Sequence, residues 1–293
     1  MNASYRKGCS LGSLMAGSLA LCLVFSGGTA MAAAIEVFHA DSLAGPMKAL
    51  KAAFETRNPG KQVNLTTGRS QELAERILRG DLCDVFTPSA PAVIEKDLMT
   101  KKVAGTDRTG AAWSVIFSAN EMVVITARNN PLGIKRMSDL AKTGVRFTRV
   151  TGEKDMATRR TIDFVKNVTA LEGNPQLAQG IIAGAAADPA KPRTVPETIR
   201  EVATGKADAG VVYYSAAVDA RKDVDSLRFP ADVNLSSQIR NAATVPATAK
   251  EPAIALQFVR FILSEEGRKI LEATGQPPVV PPITKGEIPR DLK

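Results

Sequence analysis

The 293-residue chain has one histidine, three cysteines and one tryptophan, and only 5% of its residues are aromatic. With His39 alone available, no histidine metal cluster can be assembled, and a Ser-His-Asp triad would have to use that one residue. No Gly-Lys-Ser/Thr phosphate loop is present, so any ATP hydrolysis would belong to a partner. Aromatics are sparse and Lys and Arg are spread along helical patterns without a dense basic run, which argues against a nucleic-acid surface. The formal charge of +8 therefore reads as solvated surface with some attraction for anions.

Two of the three cysteines fall in a leader. Arg6 and Lys7 give a positive start, Leu11–Phe25 is apolar with small residues interspersed, and Ala30-Met31-Ala32 supplies an A-x-A cleavage site. The apolar run is too short and too broken by Gly and Ser for a membrane span. Residues 1–32 are read as a secretory signal peptide, with the mature chain starting near Ala33. Cys22 raises a lipoprotein as the alternative, but Leu21 before it is large where lipid-attachment signals want a small residue, and the A-x-A site would then be idle. Cleavage lowers the formal charge from +8 to +6 and leaves Cys83 without a disulfide partner. About 260 residues must then be held by their apolar core, in which Cys83 serves as small filler.

What the sequence does have is a repeated construction. Ile35–Phe38 is β-prone and gives way to an amphipathic pattern with Leu43, Met47, Leu50 and Phe54 on one face, which predicts a strand, a tight turn and a helix over about 43–57. Ser42 stands at that helix start. Its hydroxyl can cap the helix or, with the unpaired N–H groups and positive dipole end, form part of an anion site. Val63–Thr67, then Gly68-Arg69-Ser70, then Gln71–Gly80 repeat the pattern, with Leu73, Ile77 and Leu78 inward and Ser70 at the second helix start. A strand over 84–87 and a short helix over Pro91–Asp97 follow. Such alternation argues a mostly parallel sheet, with ligands gathered at the carboxyl ends of its strands.

Farther on, Trp113–Thr126 is a long β-prone run with a polar break at Ser118–Glu121. Arg146–Val150 reads as a strand, followed by Thr151–Thr158 and a helix to about Val168. A helix over Gln176–Gly184 and another from Pro196 to Thr204 precede the short strand Ala209–Tyr213, with Ser215 at a further helix start. Leu227–Phe229 and Ile239–Val245 are the last β-prone runs. Ala253–Thr274 is the most periodic helix, interrupted near Ser264–Glu266, and the Pro-rich tail from Gln276 is expected to lie along the surface.

The segments VFHADSLAGPMKALKAAFE, GRS, GDLCDVFTPSA and FVRFILSEEGRKILEATGQPPVVPP together resemble the periplasmic molybdate/tungstate-binding proteins of ABC importers, a family of extracellular solute-binding proteins, over nearly all of the chain from Ile35 onward. The resemblance implies an α/β, two-lobed, type II-like periplasmic-binding-protein fold. Each lobe would be a mostly parallel sheet flanked by helices, and two crossing strands, Trp113–Thr126 and a return near Ile239–Val245, would form the hinge. Residues 33–121 would open lobe 1, residues 122–240 would form lobe 2, and residues 241–293 would return to lobe 1 and end in the tail.

The implied function is capture of a tetrahedral oxyanion, molybdate or tungstate, in the periplasm and its delivery to a permease and its ATPase. The protein would act as a monomer, without enzymatic activity, nucleic-acid partner or cofactor, and without metal beyond that of the bound anion. By matching motifs, Ser42, Ser70, the backbone at Ala157 and Val195, and Tyr213 would contact the anion. Asp155 matches one of two carboxylates that some members add. The register from Tyr213 puts Val195 at the other position, with Glu197 two residues later as a flanking candidate.

Asp41 and Arg69 stand where the family usually has small residues. A carboxylate beside an anion site is unfavourable unless neutralised, so the two either pair at the pocket edge or point to solvent. Carriers of sulfate or phosphate share the architecture. A ferric-ion carrier is a further alternative because of Tyr213-Tyr214, although adjacent strand residues face opposite sides. The ligand-sensing domain of a transcription regulator would need a helix-turn-helix where the leader stands. N-terminal sequencing of exported protein should read from near Ala33; an acylated Cys22 would overturn the cleaved-leader expectation.

Overall fold

The computed structural model describes residues 33–152, 156–185 and 192–292; the leader expected at residues 1–32 lies outside them. The chain begins with β1 (Ala33–Ala40), which pairs in parallel with β2 (Lys61–Gly68) and β3 (Val85–Thr87). Helices α1 (Ala44–Arg57) and α2 (Ser70–Leu78) make the crossovers. Leu43, Met47, Leu50 and Phe54 are all 0% exposed, so the apolar stripe that defines α1 in the sequence is the face it buries. Phe54 meets Phe258 edge to face at 5.1 Å, tying α1 to α7 (Pro252–Leu263).

A second group of strands completes this lobe. Strand β4 (Trp113–Ala119) lies between β9 (Arg240–Ala243) and β10 (Pro278–Gly286), all antiparallel. Phe86 and Thr244 exchange backbone hydrogen bonds of 3.0 and 3.1 Å, which joins this group to β3. The tail is thus a strand and does not simply run over the surface. Its prolines are accommodated because β10 is an edge strand that breaks register between Pro278 and Ile283. The periodic helix is two helices, α7 and α8 (Glu265–Ala273), separated at Ser264, whose hydroxyl accepts from Gly267 N at 3.1 Å.

The other lobe holds the sheet β6 (Phe147–Arg149), β7 (Ala209–Tyr213), β5 (Met122–Ala127) and β8 (Val224–Leu227), in that order. Around it lie α3 (Met156–Leu171), α4 (Leu177–Gly184), α5 (Val195–Ala203) and α6 (Tyr214–Asp219). The expectation of a mostly parallel sheet fails in this lobe, where only β6 and β7 pair in parallel. The cause is the crossing itself. Strand β5 enters from the hinge with Met122 opposite Tyr213, the last residue of β7, so the two must run in opposite directions. Strand β8 also ends at Leu227 instead of occupying Leu227–Phe229.

The lobes join where β4 passes into β5. Asn120 N donates to Ile239 O at 2.8 Å and Met122 N to Asn234 O at 2.9 Å, so the two crossing segments lie side by side with their backbone groups satisfied. Glu121, 3% exposed, is bonded there by Arg228 and by the Asn234 side-chain amide. Gly275 (φ +72°) turns the chain out of α8 so close to α6 that a Cβ would stand 2.7 Å from Ser215 Cα. Cys83 is fully buried in the lobe 1 core, where burial pushes its thiol pKa up.

His39 is 2% exposed, with Nδ1 2.9 Å from the Ala40 carbonyl oxygen. Burial holds its pKa below the ordinary value and outweighs the opposing effects of that carbonyl and of Asp41. The unfolded chain therefore takes up this proton at a higher pH than the folded one. Stability should be fully present above about pH 6.5 and decline as pH falls from there through the depressed folded value. Denaturant titration of wild type and His39→Gln checks this, since the variant should lose that portion of the slope and an unchanged slope would assign it to other groups.

Candidate functional site

Between the lobes lies an open cleft of about 620 Å³. Asp41, Ser42, Arg69, Ser70 and Ser89 line it from lobe 1, Met156, Arg160 and Tyr213 from lobe 2, and Asn120 and Asn241 at the crossing. The lobe 1 wall follows from strand register. Ala40 pairs with Gly68, the last residues of β1 and β2, and His39 pairs with Thr87, the last of β3. Ser42, Ser70 and Ser89 each follow the end of their strand by two residues, so three hydroxyls gather at the carboxyl edge of one parallel sheet. Ser89 was not singled out from the sequence, although the same spacing, strand then serine then helix, was there to find it.

The two expected serines do not act as helix caps. Ser42 lies in a single 3-10 turn (Asp41–Leu43) ahead of α1, is exposed, and makes no side-chain hydrogen bond within the described residues; its carbonyl accepts from Gln276 Nε2 at 3.3 Å. Ser70 is the first residue of α2, one position inside the cap, and its Oγ accepts from Ser89 N at 3.2 Å. A hydroxyl that accepts in this way still has its hydrogen to donate.

On the facing wall, Met156 and Arg160 are four residues apart on α3 and so share a face. Arg160 Nη1 donates to Tyr213 Oη at 3.1 Å, and the guanidinium lies 5.7 Å from the tyrosine ring centroid. Tyr214 instead meets Arg228, 4.5 Å from its ring, and packs at another core patch. The neighbouring tyrosines therefore face opposite sides, which removes them as a pair.

The remaining sequence candidates divide. Ala157 is buried, 4% exposed, and only its neighbour Met156 reaches the cleft wall. Val195 packs against the core patch that holds Val202 and Val212 and is not among the lining residues. Glu197 accepts from Thr194 N and Oγ1 at 2.8 and 2.9 Å in a capping box, bonds that hold its carboxyl below the usual range. Asp155 lies outside the described residues.

Asp41 and Arg69 both line the cleft but do not pair. Asp41 Oδ1 accepts from Thr67 Oγ1 at 2.9 Å, while Arg69, 80% exposed, turns to Glu72 three residues along α2 at 3.4 Å. Counting Asp41, Arg69 and Arg160, the lining side chains carry one positive charge in excess. Among the described residues, no group of three or more His, Cys, Asp or Glu side chains could hold a metal ion. No described helix is long and apolar enough to cross a membrane.

Two lobes, a double-crossing hinge and a cleft into which serines, asparagines and arginines converge define a binding protein that holds a small solute between its halves. Residues 35–276 match the bacterial extracellular solute-binding protein family, and the chain belongs to it. It is 29% identical over 252 residues to the molybdate-binding protein ModA of Mycobacterium tuberculosis, covering 85% of this chain and 87% of that protein. Its fold is similar to the substrate-binding domain assigned to a molybdenum ABC transporter in Clostridium difficile (TM-score 0.68, 20% identity, 84% and 99% covered). It is similar also to the sulfate-binding protein SubI of Mycobacterium tuberculosis (TM-score 0.58, 17% identity, 85% and 88% covered). These relatives are solute-binding proteins and not enzymes.

Because Ser42 caps nothing, Ser42→Ala should leave the melting temperature of the ligand-free protein unchanged. Ser70→Ala removes a partner of Ser89 N and should cost about 1 kcal/mol. Thermal and denaturant unfolding of the two variants checks the contrast.

Proposed function

We propose that the protein is the periplasmic solute-binding component of an ABC importer, capturing a tetrahedral oxyanion, molybdate or tungstate, and passing it to a permease driven by an ATPase. The observation that carries this is the row of Ser42, Ser70 and Ser89 at one sheet edge, faced by Tyr213 across the cleft. Hydroxyls and backbone N–H groups have no acidic proton to lose to the ligand, and they suit a dianion that needs donors on all sides. The 29% identity to a molybdate-binding protein over most of both chains favours this anion class. Asp155 is retained as a carboxylate contact and the backbone at Ala157 as a donor, both on the strength of the sequence match. Val195 and Glu197 are not. The importer subunits would recognise a monomer, and no cofactor is needed.

A tetrahedral oxyanion occupies roughly 120 Å³ if each oxygen takes the liquid volume of a water. The 620 Å³ cleft is several times larger, so tight capture requires the lobes to close about the Asn120-Glu121 crossing. With saturating ligand, X-ray scattering should show a smaller radius of gyration, and the melting temperature should rise by mass action.

Calorimetry with molybdate, tungstate, sulfate and phosphate tests the assignment. Longer metal–oxygen bonds should let molybdate and tungstate span donors that sulfate cannot reach together. Each of Ser42→Ala and Ser70→Ala should weaken molybdate by about ten- to a hundredfold, the worth of one hydrogen bond to a charged partner. Equal or tighter sulfate binding in direct competition would overturn the molybdate and tungstate assignment while leaving an oxyanion carrier.

A further inference from the structure

Arg160 is the feature of the cleft that a set of neutral donors does not account for. Of the charged side chains lining the cleft, Arg69 is turned to solvent and held by Glu72. Arg160 is half-buried, and its hydrogen bond within the described residues is the one from Nη1 to Tyr213 Oη. No carboxylate of the described residues forms an ion pair with it. A guanidinium has five N–H donors in a planar fork, so the edge formed by Nε and Nη2 keeps a pair of parallel donors that match two oxygens of one anion. The bond to Tyr213 Oη and the approach to its ring, 5.7 Å from the centroid, restrain the group, which lowers the entropy lost on ligation. Asp41 lines the same cleft, with Thr67 Oγ1 donating to its Oδ1 and no ion pair to a cation among the described residues.

Resting on the oxyanion reading above, we propose that Arg160 contacts the ligand directly and supplies the positive charge with which the cleft holds a dianion against Asp41. In a partly desolvated cleft that charge acts at a lower effective dielectric than at the surface. Added salt should still weaken the contact while the cleft is open.

The test is calorimetry of sodium molybdate with wild type, Arg160→Gln and Arg160→Lys at low and raised sodium chloride, alongside the ligand-free melting temperature of each. Arg160→Gln should bind molybdate about ten- to a hundredfold more weakly, with a flatter salt dependence and a ligand-free melting temperature lowered no further than that of Ser70→Ala, which likewise loses one hydrogen bond. Arg160→Lys should recover the salt dependence and part of the affinity, since it restores the charge without the fork. Wild-type affinity and salt dependence in Arg160→Gln would overturn the proposal, as would an affinity loss that Arg160→Lys shares with no recovery of the salt dependence. If the wild type binds no oxyanion, the reading of the cleft falls and this proposal with it. If the wild type binds and Arg160→Gln binds equally, only this proposal falls.

Discussion

The in-register parallel pairing of β1 with β2 and β3 is the constraint on which the rest of the cleft depends. Because Ala40 is opposite Gly68 and His39 opposite Thr87, three chains leave the sheet at one level and deliver three serines to one edge. A slip of one residue would turn side chains to the other face and move a serine by about 3.3 Å. The register is pinned by burial on both faces. Ile35 and Val37 enter one cluster with Phe54 and Phe258, while Phe38 enters another with Ile77 and Phe86.

The second wall is placed by the crossing. Strand β5 begins at Met122 against Tyr213, so the same two-residue break that separates the lobes fixes where β7 ends and where Tyr213 and Arg160 stand. Glu121 in that break is a buried charge held by Arg228 and Asn234, a cluster in which loss of one partner would leave a charge without compensation. Asn120 adds a side-chain bond to Ser215 Oγ at 2.8 Å. The crossing is therefore a hydrogen-bonded structure and not a loose linker.

Much of this was legible in local pattern. The stripe of Leu43, Met47, Leu50 and Phe54 and the strand-turn-helix spacing put Ser42 and Ser70 at the sheet edge without any knowledge of tertiary structure. Arg160 was not legible, because a helix pattern says which residues share a face but not which face meets a cleft. Glu197, a flanking candidate by its place near Val195, carries a second signature in Thr194-x-x-Glu197, a capping box in which its carboxylate accepts from its own helix start. The mixed sheet of lobe 2 was hidden for a different reason. Strand direction there is set by the route of the chain through the hinge, which leaves no trace in residue periodicity.

The turn at Gly275 bears on the crossing. With its would-be methyl position 2.7 Å from Ser215 Cα, the absence of a side chain at this one site permits the resting approach of α6 to the end of α8. Any side chain there would meet the backbone of Ser215 and not the yielding end of a flexible side chain, so a substitution must push the start of α6 away from the end of α8. Ser215 bonds Asn120 and Gln276 bonds Asn241, so that displacement would be felt at the crossing itself.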